Sequence, residues 1–301
     1  MSRRVPYLVG TLLGLLLASH PSARVAAQSG GDAGPAPLTL SAPDTTAPPP
    51  AADSMSEKLT QPGDAPSNDI TSLNLSAGGA MATGNTGSYL ILAGGDFRLV
   101  REPHSLTINA AFAYGEARAD PKNENSPLEA TVRNINAKAK YDLFLDQMDA
   151  LFIATGFRWD PFAGLAHRNN GQIGYGRYFI AEAKHRFWVE VGYDLTGTKY
   201  MQVPNKPAPD KSSDIVHSAR AFLGYENQLN DAVTYLGGVE GLIDVEKPGA
   251  SKLNWDNALR SSLSDSFKLE LRFRLAYDAL PVSNAKKLDT ATAISLLYSL
   301  I

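Results

Sequence analysis

Hydrophobic and polar residues alternate along most of this chain beyond residue 70, and the alternation is clearest from Phe267 to Asp278. Phe267, Leu269, Leu271, Phe273, Leu275 and Tyr277 fall on one face of that stretch. Lys268, Glu270, Arg272, Arg274, Ala276 and Asp278 fall on the other. A period of two over such a length predicts a β-strand. It is also long. A globular strand averages about five or six residues, whereas a tilted strand crossing a bilayer needs about 9–11. Such a strand turns its apolar face to lipid and its charges to the barrel interior.

Similar segments recur at 71–82, 88–99, 104–117, 128–142, 149–159, 170–181, 186–198, 213–226, 232–246, 253–263, 267–279 and 289–300. Two are less regular. The alternation in 128–142 changes phase between Val132 and Ile135, which predicts a bulge, and 170–181 can be read in either register. The connections alternate in length. They are short near Arg101–Pro103, Asp146–Met148, Lys184–His185, Asn227–Asp231 and Ser264–Ser266. They are longer at 118–127, 160–169, 199–212, 247–252 and 280–288, and only the hairpin Thr83–Gly87 breaks the rule. Short turns at one end and longer loops at the other predict an all-β, antiparallel transmembrane barrel of twelve strands. An even count places both termini at the short-turn end. Aromatic residues near the strand ends, among them Tyr89, Tyr141, Trp159, Tyr225, Trp255, Phe267 and Tyr298, fit the two membrane interfaces.

The first seventy residues lack this pattern. Arg3 and Arg4 precede an apolar run from Val5 to Ala18, and Val25-Ala26-Ala27 fits a cleavage site, so residues 1–27 read as a signal peptide. Residues 28–69, rich in Pro, Ala and Ser, carry too little apolar surface to offset the entropy of ordering and read as a disordered tail. The barrel then occupies 70–301. Loss of residues 1–27 removes three arginines and no acid, leaving the mature chain more acidic than its formal net charge of −3. That balance argues against a nucleic-acid partner. The absence of cysteine excludes disulfides, thiol nucleophiles, Cys-zinc sites and an acylated lipoprotein anchor.

With the apolar faces turned to lipid, one dense polar constellation is expected to line the lumen: Arg98, Lys138, Lys140, Glu190, Asp194, Arg220, Glu226, Glu240, Asp244, Asp256, Arg260, Lys268, Glu270, Arg272, Arg274 and Asp278. Such a lining either selects solutes by charge or fills and braces a narrow barrel. Catalytic signals are weak. His104 and His185 sit at predicted turns. His167 falls in a predicted loop after Asp160. His217 and Ser218 are strand neighbours whose side chains point apart. No metal-ligand spacing or phosphate loop is present. No catalytic residue, cofactor or metal is expected.

Leu73–Gly79 followed by Thr83–Thr86, Gly174–Tyr178 followed by Val189–Tyr193, and Lys286–Thr290 before the last strand resemble segments of the salt-induced outer membrane protein family, DUF481. The resemblance covers about 70–301. It implies a bacterial outer-membrane barrel, with membrane lipid and the barrel assembly machinery as partners, and a connection to salt or osmotic stress. It supplies no site residues. The chain departs from such barrels in ending Tyr298-Ser299-Leu300-Ile301 rather than on an aromatic residue. The expected function is a passive pore for small polar or charged solutes. The alternatives are a closed structural barrel acting as a binding or anchoring module, a membrane-embedded hydrolase, and a soluble lipocalin-like barrel with Phe267, Leu269 and Leu271 turned inward.

Overall fold

The computed structural model describes residues 69–82, 88–119, 126–182, 184–202, 211–280 and 287–300. The predicted signal peptide, almost all of the tail, the hairpin at 83–87 and the greater part of the loops at 118–127, 199–212 and 280–288 lie outside these residues. The described residues form twelve antiparallel strands. They are β1 (Ile70–Ala82), β2 (Ser88–Arg101), β3 (His104–Arg118), β4 (Leu128–Phe144), β5 (Asp149–Asp160), β6 (Leu165–Glu182), β7 (His185–Tyr200), β8 (Ser213–Gln228), β9 (Val233–Asp244), β10 (Lys252–Ser262), β11 (Phe267–Asp278) and β12 (Leu288–Ser299). Each pairs with its sequence neighbours, and β12 pairs with β1 to close the barrel. Closure leaves no sheet edge at the ends of the strand order, as a bilayer requires.

The barrel is polar inside and apolar outside. Phe267, Leu269 and Leu271 are exposed on its outer wall at 41%, 41% and 46%. The inward positions between them carry Lys268, Glu270 and Arg272, and Glu270 is buried. A soluble barrel with those apolar residues around an inner ligand is thereby ruled out. The outer belt continues through Ile91, Ile108, Ile153, Ile173, Val191, Leu223 and Ile294, all exposed. Aromatic rings gather at its two rims. Tyr225 meets Tyr235 and Phe267 meets Tyr298 at the short-turn end, while Tyr89 meets Tyr114 at the other. The fold is a transmembrane β-barrel. An arginine at Leu271, near the middle of β11, should cost about 2–4 kcal/mol in lipid. Equilibrium unfolding from vesicles measures this. A water-exposed wall would tolerate the same change.

The short turns are closed by side chains that accept from the backbone, as Asp, Asn and Ser do in such positions. Asp146 accepts from the amides of Met148 and Asp149 at 2.8 Å each. Asn230 accepts from Ala232 and Val233 at 2.9 Å each, and Ser264 from Phe267 at 3.1 Å.

Three local features refine the sequence reading. The phase change in β4 is a bulge at Thr131, one residue before Val132: Gly115 pairs with Val132 and Glu116 with Ala130. In β6 the register has a second irregularity between Tyr178 and Ile180. Before it, even-numbered residues of β6 point inward. The largest correction concerns 160–169, which is no long loop. β6 starts at Leu165, and Pro161–Gly164 form a tight turn in which Ala163 donates to Asp160 at 2.9 Å and Gly164 adopts φ 75°. His167 and Arg168 therefore lie on a strand, opposite Lys199 and Thr198. Arg168, Asn169 and Asn170 put polar groups on both faces there, so alternation gives no signal.

Candidate functional site: the barrel interior

Strand register places all sixteen predicted lining residues on the inward face. One ladder rung shows the logic: Gly192, Arg220 and Leu242 are partners across β7, β8 and β9. Another joins Asp256, Arg274 and Ala291 across β10, β11 and β12.

The structure gathers these residues into two buried ionic networks. In the first, Glu190 accepts from Lys140 Nζ at 2.8 Å and from Arg220 at 2.8 Å. Arg220 Nε also donates to Glu240 at 2.7 Å, and Lys140 lies 3.0 Å from Asp142. Glu190 is 0% exposed, Lys140 3% and Arg220 4%. Two cations thus face three carboxylates out of reach of water. The Phe152 ring lies under both cations, 4.9 Å from Lys140 Nζ and 5.3 Å from the Arg220 guanidinium. In the second network Glu270 accepts from Arg260 at 2.5 Å and from Arg272 at 3.0 Å. Asp256 accepts from Arg272 at 3.4 Å and lies 3.1 Å from Arg274. Three cations here face two carboxylates. The two networks cancel in formal charge.

The remaining predicted residues lie elsewhere in the lumen. Asp194 accepts from Gln172 at 2.9 Å, Asn170 at 3.1 Å and Thr196 at 2.6 Å. Asp244 caps the turn after β9, accepting from Glu246 and Lys247 at 2.9 and 2.8 Å. Asp278 pairs with Lys252 at 3.4 Å. All three line a vestibule of about 590 Å³ at the long-connection end, whose walls include Arg158, Arg168, Thr198, Tyr200 and Asn254. Arg98 and Glu226 sit toward the short-turn end, Lys138 lies opposite Asn109 and Gly156, and Lys268 lies opposite Ser262 and Leu297.

Sequence reasoning missed two parts of the interior. The first is apolar. Phe144, Tyr178, Trp188 and Phe222 point inward and form one buried cluster, with Met148 and Ala181 packed against it. They fill the β4–β8 side of the lumen at the short-turn end. Inward glycines make room for aromatic rings. A Cβ on Gly224 would run into the Trp188 ring, and one on Gly174 would lie 2.7 Å from Phe152. The second is a row of small inward residues on the opposite side. Ala291, Ala293 and Ser295 of β12, Ser76 of β1, Gly94 of β2 and Ala111 of β3 border a cavity of about 150 Å³. Glu270, Arg272 and Arg274 form one side of that slot, and Asp96 and Asn134 contribute to the other. One half of the interior is packed; the other keeps a charged slot.

Three of the described histidines bond to or pack against tyrosines. His104 Nδ1 lies 2.6 Å from the Tyr141 hydroxyl, His185 packs edge-on to Tyr225, and His217 bonds to the Tyr193 hydroxyl. Ser218 points the other way, is buried, and pairs in register with Asp194 and Asp244. Among the described residues no group of three or more His, Asp or Glu side chains could hold a metal ion.

A family model described as "Protein of unknown function, DUF481" matches residues 75–300. A comparison with curated proteins finds no match. Solved structures similar to this chain include the NanC porin (8% identity, TM-score 0.43, covering 75% of this chain and 97% of that one). Another is an outer membrane channel from Pseudomonas putida F1 (13%, 0.40, 80% and 100%). A third is the translocator domain of the autotransporter NalP from Neisseria meningitidis (11%, 0.39, 76% and 87%).

Proposed function

We propose a function that proceeds from the family: the chain belongs to the family described as protein of unknown function, DUF481, and acts as a narrow passive channel of the bacterial outer membrane. Small polar or charged solutes enter the vestibule and cross along the slot between β11 and the small-residue wall of β12, β1, β2 and β3. The slot itself carries the proposal. A barrel built only to be filled would be expected to spread bulky side chains around its whole inner wall, as small barrels do. Here Phe144, Tyr178, Trp188 and Phe222 crowd one side, while Ala291, Ala293, Gly94 and Ala111 leave the other open. Charge on the slot walls then governs which ions pass.

Outer-membrane lipid and the barrel assembly machinery are the partners this reading requires, and it sets the short-turn end, where β1 begins and β12 ends, on the periplasmic side. The reading contains no catalytic step, cofactor or metal. The link to salt or osmotic stress fits a channel for small solutes and comes from the family resemblance. A closed structural barrel is the second reading, and the buried Glu190 network favours it.

Reversal potentials in a salt gradient test the channel. Replacing Arg272 and Arg274 with glutamine should shift selectivity toward cations, since Glu270 and Asp96 then dominate the slot. The gel shift on heating checks that the variant is folded. An unchanged reversal potential in a folded variant would remove the slot from the conduction path.

A further inference from the structure

We propose that the vestibule binds an extended zwitterion, a small molecule of the ω-amino acid or dipeptide kind whose ammonium and carboxylate stand at opposite ends of a short spacer. The inference rests on the channel reading, since it names the class of solute held where solutes enter. Several charges at this end of the barrel have ionic partners: Arg158 with Asp160, Lys211 with Asp214 and Lys252 with Asp278. Arg168 and Asp194 have none among the described residues. Arg168 donates from Nε to the Thr198 hydroxyl at 3.0 Å. Asp194 is buried and accepts from the neutral side chains of Gln172, Asn170 and Thr196. A cation and a carboxylate thus border the same 590 Å³ space, each available to a ligand of opposite charge.

A second observation marks the acidic end as built to receive a donor. Gln172 lies opposite Asp194 in the ladder and also lines the vestibule. Its Nε2 donates to Asp194 at 2.9 Å, which fixes the orientation of the amide. Its Oε1 accepts no hydrogen bond from the described residues, although Gln172 is only 4% exposed. A buried amide oxygen without a donor is costly to leave so. An ammonium has three donors and no acceptor, and can serve Gln172 Oε1 and a remaining lone pair of Asp194 together. Asp244, on the same rung beyond Ser218, adds negative charge. The guanidinium of Arg168 suits a carboxylate, which it can take through two parallel hydrogen bonds. Arg168 lies on the rung of Thr198, and Thr198 is four residues beyond Asp194 along β7. Four residues of strand span about 13 Å. With a hydrogen bond of about 2.9 Å at each end, roughly 7 Å remains between the ligand's ammonium and carboxylate. An α-amino acid is too short for that span.

Isothermal titration calorimetry of the refolded mature protein in detergent tests this with 5-aminopentanoate and three analogues. 5-Aminopentanamide lacks the carboxylate, N-acetyl-5-aminopentanoate lacks the ammonium, and 2-aminopentanoate holds both charges side by side. The extended zwitterion should bind about tenfold tighter than any of the three, the scale of one charge-assisted hydrogen bond. Arg168→Gln should erase its advantage over 5-aminopentanamide, and Asp194→Asn its advantage over the acetylated acid. The gel shift on heating checks that each variant is folded, and the comparison of the four probes on the parent protein needs no variant. An extended zwitterion that binds no tighter than its analogues, or equally well to the parent and the folded variants, overturns the proposal. Planar-bilayer recording separates this site from the channel. Zwitterion binding in a barrel that carries no current keeps the site and removes the channel; current without zwitterion binding removes the site and keeps the channel.

Discussion

Replacing Ala293 with tryptophan is expected to abolish ion passage through the barrel. Ala293 faces inward from β12, opposite Arg272, and borders the charged slot. An indole there would occupy the cavity and press on the Arg272 and Arg274 side chains. The opposite half is already packed with Phe144, Tyr178, Trp188 and Phe222. Enlarging a side chain in a tightly packed site costs about 1–3 kcal/mol, which a closed twelve-stranded barrel should survive. Gel mobility with and without heating reports folding, and planar-bilayer recording reports current. A folded Ala293→Trp variant conducting like the parent would show that ions do not use the slot.

The second large effect concerns stability. Glu190→Ala should destabilise the barrel by about 3–5 kcal/mol, because it removes the carboxylate that both buried cations share and leaves their donors to it unsatisfied. Glu190 is fully buried and holds Lys140 and Arg220 at once. Asp142 and Glu240 remain nearby, but each already serves one of these cations. Urea unfolding in vesicles gives the cost. A loss of less than about 1 kcal/mol, the scale of an exposed pair, would mean that water reaches the network and that this half of the interior is open.

The fold was legible because the outer wall is regular. Once Leu269, Leu271 and Phe273 are assigned to lipid, the parity of every strand follows, and with it the inward placement of Glu190, Arg220, Asp256 and Arg272. The same rule hid the apolar filling. Trp188 lies between Phe187 and Val189, and Tyr178 precedes Phe179. In these continuous apolar runs an inward ring looks like part of the lipid face. Gly224 and Gly174 were clues, since inward glycines leave space for a neighbour, but which neighbour uses it depends on cross-strand register. The start of β6 was missed for a related reason: Arg168, Asn169 and Asn170 give no contrast between faces. The β1–β12 pairing joins residues more than two hundred positions apart, and no local pattern records it.

The most direct test of the central claim is single-channel recording of the refolded mature protein in a planar bilayer. A half-packed barrel with one charged slot predicts discrete steps of small conductance, with an ion preference set by Arg272 and Arg274. A silent bilayer, with the protein shown to be folded and inserted, would contradict the channel and leave a filled structural barrel.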